Sequence, residues 1–137
     1  MKKVLLGICL ALLLFSCRKA NEISSLTKQA VGTWELEESV CGICTNPYTT
    51  FPPGNNNLLI LSANGAYEKR KQDTVLSSGS YSIISSKECN KSGDPAMMIN
   101  TTTGSGLQFI QISNDKLTLS TPACYADGVV NTYHRVK

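Results

Sequence analysis

The sequence is poor in the residues and motifs from which enzyme active sites are usually built. It contains a single histidine, His134, and the alternation with its neighbours Tyr133 and Arg135 places it on the outer face of a strand. A lone histidine without a placed carboxylate or nucleophile gives little support for acid–base catalysis. The chain also has no Gly-x-Ser-x-Gly motif, no phosphate-binding loop and no pattern of paired carboxylates. We therefore expect a protein that is not an enzyme and needs no cofactor.

Runs of one charge are scarce as well. The formal net charge is only +3, and Lys69-Arg70-Lys71 is the one run of three positive residues. Such runs usually cover the solvent-facing side of an element, so we expect these side chains to be solvated. No basic patch is interleaved with aromatic residues, the pattern that indicates nucleic-acid binding. The composition therefore gives no support for a nucleic-acid partner.

Long hydrophobic stretches are limited to one, near the amino terminus. Val4 to Phe15 is an apolar run of about a dozen residues, and Lys2 and Lys3 precede it. A membrane-spanning helix needs about 20 apolar residues, so this run is too short to cross a bilayer. A short positive segment followed by such a run is typical of a signal peptide. We therefore predict a cleaved leader over residues 1–16.

The residues that end this run, Leu14-Phe15-Ser16-Cys17, resemble a bacterial lipobox. In lipoproteins with that motif, diacylglycerol is joined to the cysteine thiol, the leader is cut just before it, and the new amino terminus is usually acylated. The resemblance implies that Cys17 is lipidated and anchors the chain in a bilayer, because two or three acyl chains hold a protein stably. An ordinary secretory leader with a chance cysteine is the alternative.

The segment after Cys17 bears on the membrane to which the chain is sorted. It reads Arg18-Lys19-Ala20-Asn21. No aspartate follows the cysteine directly, so nothing resembles the signal that retains lipoproteins in the inner membrane. No acidic cluster resembles a surface-export signal either. These comparisons favour the periplasmic face of the outer membrane, with display on the cell surface as the alternative.

In an exported chain, cysteines are interpreted as disulfides first. Apart from Cys9 in the leader and the lipidated Cys17, the chain has Cys41, Cys44, Cys89 and Cys124. An even number fits two bridges, for which three connectivities exist.

Two other uses of these cysteines have less support. Cys41-Gly42-Ile43-Cys44 has the spacing of a redox motif, but it follows a strand and does not open a helix, where thiol pKa values are lowered. Zinc binding would need a second closely spaced pair, which Cys89 and Cys124 do not form. We therefore expect structural disulfides and no metal.

The rest of the chain shows a polar tether over residues 17–30, with a short helical turn around residues 24–29, followed by repeated apolar alternation. In the first alternating segment Trp34 and Leu36 share one face, and Glu35 and Glu37 lie on the other, in water. The predicted strands are 32–40, 58–62, 66–72, 75–84, 96–101, 107–113, 116–120 and 129–136.

Eight sequential strands with mostly short links predict an all-β fold, namely an eight-stranded antiparallel up-and-down barrel over residues 31–137. In such a barrel alternate loops lie at the same end. The first loop, with Cys41 and Cys44, then shares an end with the last loop, so we expect Cys124 to bridge to one of these two. Cys89 lies in a loop at the opposite end, and its bridge to the remaining cysteine conflicts with this strand count.

Two short motifs give the barrel a resemblance. Gly32-Thr33-Trp34 opens the first strand and Tyr133-His134-Arg135 lies in the last. This pairing resembles the lipocalin-like lipoproteins of Bacteroidetes. In lipocalins an arginine from the end of the barrel packs across the tryptophan of the Gly-x-Trp motif. The resemblance implies a cation–π contact between Arg135 and Trp34, and it implies ligand binding as the role of the barrel.

Two functions remain open on the sequence alone. In the first, the barrel binds a small apolar or amphipathic molecule, and the inward-facing candidates are Trp34, Leu36, Tyr81, Ile83, Phe109 and Tyr133. In the second, the barrel is filled by side chains and grips another envelope protein through the loop 41–56, which carries Tyr48 and Phe51. The volume of the barrel interior distinguishes a carrier from a filled scaffold.

Overall fold

The structure is a computed structural model that describes residues 20–90 and 93–136. The leader predicted at 1–16 and the lipidation site Cys17 lie outside the described residues. Within the described part of the chain, no helix is both long enough and apolar enough to cross a membrane.

Residues 20–30 form a helix, α1, where the sequence predicted a tether with one helical turn. Ile23 and Leu26 pack against the barrel core, and Ala30 is fully buried. Their spacing of three and four residues places them on one face of a helix. This apolar face explains why the helix is longer than expected, since tertiary packing supplies most of the stability of short helices.

The strands confirm the predicted closed barrel. Their bounds are β1 Gly32–Cys41, β2 Tyr48–Thr50, β3 Asn57–Leu61, β4 Ala66–Lys71, β5 Thr74–Ser86, β6 Asp94–Thr101, β7 Gly104–Ser113, β8 Lys116–Ser120 and β9 Val129–Arg135, with a short 3-10 turn at Glu88–Asn90. Apart from β2, each strand pairs antiparallel with its sequence neighbour, and β9 pairs back onto β1. The barrel therefore has eight strands, and the pairing of β9 with β1 closes it.

The strand β2 was not predicted. It pairs antiparallel with Glu38–Val40 on β1, next to a bulge between Leu36 and Glu38. All three of its residues are exposed, so it carries no apolar alternation that the sequence could reveal. Its effect is to hold part of the connection between β1 and β3 beside the end of β1, as an extra short strand of the same sheet.

The predicted disulfide partners for Cys124 were wrong. Four cysteines do form two bridges, but these join Cys41 to Cys44 and Cys89 to Cys124, with Cα atoms 5.5 and 5.4 Å apart. The physical reason is the tilt of the strands, which an upright picture of the barrel ignores.

The strand register shows this tilt directly. Ser120, at the end of β8, pairs with Phe109 in the middle of β7. Phe109 pairs with Ala96, and Ala96 pairs with Ile84 near the end of β5. One row across the sheet therefore connects the loop after β8 with the loop after β5. The cysteines that follow these two strand ends can meet although their loops open at opposite ends of the barrel.

The core is a cluster inside the barrel whose members are at most 9% exposed. They are Ala30, Trp34, Leu59, Leu61, Tyr67, Tyr81, Ile83, Met97, Ile99, Ile110, Leu117, Leu119 and Tyr133. We call this set the interior cluster. Arg135 closes the α1 end of the barrel, with its guanidinium carbon 4.0 Å from the centroid of the Trp34 ring. The contact that the resemblance implied is thus present.

Candidate binding cup at the open end of the barrel

Most of the interior residues proposed from the sequence pack against one another. Trp34, Tyr81, Ile83 and Tyr133 belong to the interior cluster, and Leu36 is partly buried against it. Trp34 is fully buried, and its indole Nε1 donates a hydrogen bond to the Ala30 carbonyl over 2.8 Å. These side chains therefore fill the part of the barrel next to α1.

Phe109 departs from the expected inward orientation. Its neighbours Gln108 and Ile110 lie opposite Met97 and Leu119, which both belong to the interior cluster. Since side chains alternate along a strand, Phe109 projects from the outer face. There it lines an open groove of about 860 Å³ together with part of α1. The prediction of an inward-facing Phe109 is therefore wrong, and β7 carries large side chains on both of its faces.

A concave site lies at the other end of the barrel, away from α1. It is an open cavity of about 500 Å³, formed by β4, β6, β7 and the connection between β8 and β9. We call it the cup. Its lining includes Lys69, Ile99, Gly106, Gln108 and Tyr125. None of them was a site residue on the sequence alone, because the cup is assembled by the register of distant strands.

Gly106 accounts for part of the space in the cup. It pairs with Ile99, a member of the interior cluster, so its missing side chain would point into the barrel. A Cβ atom built at Gly106 would have no atom within 4 Å. The absent side chain at Gly106 is therefore not required to let a neighbouring strand approach the backbone of β7. The opening beside Gly106 is therefore free volume that a ligand can occupy.

Lys69 contributes a cation to the cup, although its run was expected to be solvated. Its pairing partner on β3 is Leu59, which is fully buried, and Tyr67 two residues earlier belongs to the interior cluster. Alternation therefore turns Lys69 inward, while Lys71 at the strand end is exposed. Burial lowers the pKa of the Lys69 ammonium from its usual value, because desolvation disfavours the charged form.

The polar groups of the cup are incompletely paired. Among the residues that the structure describes, Lys69 forms no hydrogen bond or ion pair. The Gln108 Oε1 atom is buried and likewise has no hydrogen-bond donor within the described chain. Buried polar atoms are usually paired with protein or water, so Gln108 Oε1 indicates a place where another molecule completes the contacts. The half-buried Lys69, which lines the same cavity, offers that molecule a cation.

A second surface feature is the segment 42–56, which we call the strap. It is held to the outside of β1 by Glu35, whose carboxylate accepts hydrogen bonds from the backbone N–H groups of Gly54 and Asn56, each over 2.8 Å. Glu35 is only 4% exposed, although the sequence placed it on the water-facing side of the strand. The strap covers that side, which is why the carboxylate is buried.

The strap also carries exposed apolar side chains. Ile43 is 66% exposed and Tyr48 is 59% exposed. The Cys41–Cys44 bridge closes the turn that follows β1, and Ile43 lies in this turn. His134 lies on the outer face, as expected, with Nε2 3.3 Å from Glu35 Oε2. No nucleophilic side chain is recorded in contact with this pair within the described residues.

The described residues contain no cluster of three or more histidine, cysteine or acidic side chains arranged to hold a metal ion. Comparison of the chain with protein-family models and with curated proteins gives no match.

Proposed function

We propose that the chain is a lipid-anchored, non-enzymatic barrel that binds a small apolar or amphipathic molecule in the cup. The observation that carries this proposal is the free volume beside Gly106, which lies directly above the packed interior cluster. Concave sites of about 300–1,000 Å³ with apolar walls and a few polar groups are typical of small-molecule binding. The cup, at about 500 Å³, lies within that range.

The packing of the interior limits the size of the ligand. Met97 and Leu119 are fully buried, and Tyr81 is 7% exposed, so side chains occupy the space below the cup. A long acyl chain would need this space. The ligand that fits is therefore compact, and only its base contacts the interior cluster.

The proposed location follows from the leader and Cys17. Acylation of that cysteine would attach the barrel to a bilayer, and the absence of the retention and export signals discussed above favours the periplasmic face of the outer membrane. A barrel held there has access to small amphipathic molecules that partition into the envelope.

The test uses N-phenyl-1-naphthylamine, a neutral fluorescent probe, with protein expressed from the full sequence. We expect saturable binding at one site. Gly106→Phe fills the cup and should weaken binding at least about tenfold, whereas Gly106→Ala should retain it, because one methyl group fits the open space. Circular dichroism checks that both variants are folded, and Gly106→Val provides an intermediate size.

Two outcomes would contradict this proposal. In one, neither this neutral probe nor an anionic relative binds the folded protein, and native mass spectrometry shows no co-purifying small molecule. In the other, Gly106→Phe binds the probe as well as the wild type does, which would place the site elsewhere, for example in the outer groove beside Phe109.

A second candidate function is a grip on another envelope protein through the strap. Its support is the exposure of Ile43 and Tyr48 on a segment that a disulfide and Glu35 hold in place. Rigid exposed aromatic side chains are typical anchors of protein interfaces. A photo-crosslinking residue at Tyr48 should capture one defined partner in the native host, while the same residue at the exposed Ser78 should not. Equal labelling from both positions would dismiss this function.

A further inference from the structure

The cup contains an uncompensated positive charge. Lys69 faces inward from β4, but the ion pairs of the described acidic side chains are formed with other cations. Glu37 pairs with Lys116 and Asp115 pairs with Arg135. At the rim, the Tyr125 hydroxyl donates a hydrogen bond to Glu88 over 3.2 Å. No protein anion is therefore recorded against the Lys69 ammonium.

We infer that the ligand of the cup is a compact organic anion whose charged group pairs with Lys69 and whose apolar body lies against Ile99 and the space beside Gly106. This inference rests on the proposed function and specifies the chemical class of its ligand. A carboxylate, sulfonate or phosphate group supplies the charge that Lys69 lacks. A hydrogen bond between two ionised groups is stronger than one between neutral groups, and more so at a partly desolvated site.

Gln108 adds a second requirement to the ligand. It projects inward from β7, two residues after Gly106, and lines the same cavity as Lys69. Its buried Oε1 accepts hydrogen bonds only, so the complementary group on the ligand is a hydroxyl or N–H donor. The two side chains together describe a molecule with an anionic group, a neutral hydrogen-bond donor and an apolar part.

The shape of the site separates this ligand from a long-chain fatty acid. The interior cluster begins directly below the cup, with Ile99 at its upper boundary and Met97 and Leu119 fully buried beneath. The apolar body of the ligand therefore has about the depth of one or two rings. An aromatic or short branched acid satisfies this limit.

Two fluorescent probes test the charge requirement with one scaffold. 8-Anilinonaphthalene-1-sulfonate and N-phenyl-1-naphthylamine share the arylamine and its N–H group, and only the first carries a sulfonate. We expect the full-length wild-type protein to bind the anionic probe about tenfold or more tightly than the neutral one. Loss of a hydrogen bond to a charged group typically changes affinity by about that factor.

Variants at Lys69 assign this preference to one side chain. Lys69→Met should lower the affinity for the sulfonate probe to about that for the neutral probe, whereas Lys69→Arg should keep most of the preference for the sulfonate. Lys71→Met is the matched control, because Lys71 has the same charge on the same strand but is exposed. It should leave both affinities unchanged.

The outcomes separate this inference from the function on which it rests. Neutral binding that Gly106→Phe abolishes, combined with equal affinity for both probes and no effect of Lys69→Met, would overturn the anion assignment and leave the proposed function intact. Failure of both probes to bind the folded wild type, together with no co-purifying small molecule in native mass spectrometry, would overturn both proposals. A preference for sulfonate that Lys71→Met removes and Lys69→Met keeps would place the anion beside Lys71 at the end of β4 and also contradict the assignment.

Discussion

The guanidinium of Arg135 stacks 4.0 Å from the ring centroid of Trp34 and thereby joins the last strand to the first. The same side chain donates hydrogen bonds to the carbonyl oxygens of Val31, over 3.0 Å, and Gln29. These carbonyls lie at the carboxyl end of α1, where a cation is favoured by the helix dipole and by unpaired acceptors. One arginine therefore closes the barrel seam and caps the helix that covers this end.

Replacing Arg135 should destabilise the fold measurably. Arg135→Met removes the cation and its hydrogen bonds, and we expect a loss of about 2 kcal/mol in the free energy of unfolding. Arg135→Lys should lose about half of that, because an ammonium cannot stack and form the fork of two hydrogen bonds together. Urea unfolding gives both values. Lys71→Met serves as the exposed basic control, and an equal loss in that variant would contradict the assigned role.

Glu35 should control the strap specifically. Glu35→Gln keeps the shape of the side chain but replaces one acceptor oxygen with an amide nitrogen, which cannot accept the N–H of Gly54 or Asn56. We expect a loss of about 1.5–3 kcal/mol in stability and faster hydrogen exchange at those two amides. Glu22→Gln, at an exposed position of α1, should change neither amide. Unchanged exchange at Gly54 and Asn56 in Glu35→Gln would refute the anchoring role.

The two disulfides should differ in their effects on stability. Cys89 and Cys124 are separated by 35 residues, whereas Cys41 and Cys44 are separated by 3. A cross-link restricts the unfolded chain more when it closes a longer loop. Replacing Cys89 and Cys124 together by serine should therefore lower the free energy of unfolding by about 4 kcal/mol, whereas replacing Cys41 and Cys44 together should lower it by about 2 kcal/mol or less. Chemical unfolding compares them, and the reverse order would show that the long bridge adds little.

Gly79 should be intolerant of any side chain, in contrast to Gly106. A Cβ atom at Gly79 would overlap the Asn100 carbonyl oxygen on the neighbouring strand. Gly79→Ala should therefore force β5 away from β6 and cost about 1–3 kcal/mol or more. Gly106→Ala should be neutral or slightly stabilising. Equal melting temperatures for both variants would contradict the difference in packing.

These residues also show what the sequence could and could not predict. Local alternation located the barrel strands closely; β8, for example, was predicted and found at Lys116–Ser120. The amino-terminal part of β7 was missed, because Gly104, Ser105 and Gly106 carry no apolar side chain that could mark a strand. Glycine and serine in that stretch indicate a turn when only neighbours in sequence are considered.

The candidate site depended on long-range information that the sequence did not show. The disulfide partner of Cys124 follows from strand tilt, which only the full register reveals. Glu35 is buried by a segment about 20 residues away. Lys69 could have been assigned to the interior from its position two residues after Tyr67, but its place in a basic run favoured a solvated face. The cup could therefore not be predicted from the sequence, because its residues come together only through the pairing of distant strands.

The interior phenols should make the fold sensitive to alkali. Burial, with a smaller contribution from nearby Tyr67, raises the pKa of the Tyr133 phenol well above its usual value near 10. The unfolded chain then loses this proton near pH 10 while the folded chain keeps it. The stabilising contribution is therefore complete below about pH 10 and is lost progressively as the pH rises above that value.

Tyr133→Phe should reduce this alkaline loss of stability. Because burial lowers the pKa of Lys69, its ionisation has the opposite effect on stability, so the comparison is made in a Lys69→Met background. Urea midpoints between about pH 8 and 11 should fall less steeply above pH 10 with Tyr133→Phe than without it. Tyr48→Phe is the comparison. The pKa of that 59% exposed phenol is raised mainly by its hydrogen bond to Glu38 and not mainly by burial, so its replacement should reduce the alkaline loss less than Tyr133→Phe does. Identical slopes with and without Tyr133→Phe would show that the phenol stays protonated in both states or is solvated in the fold.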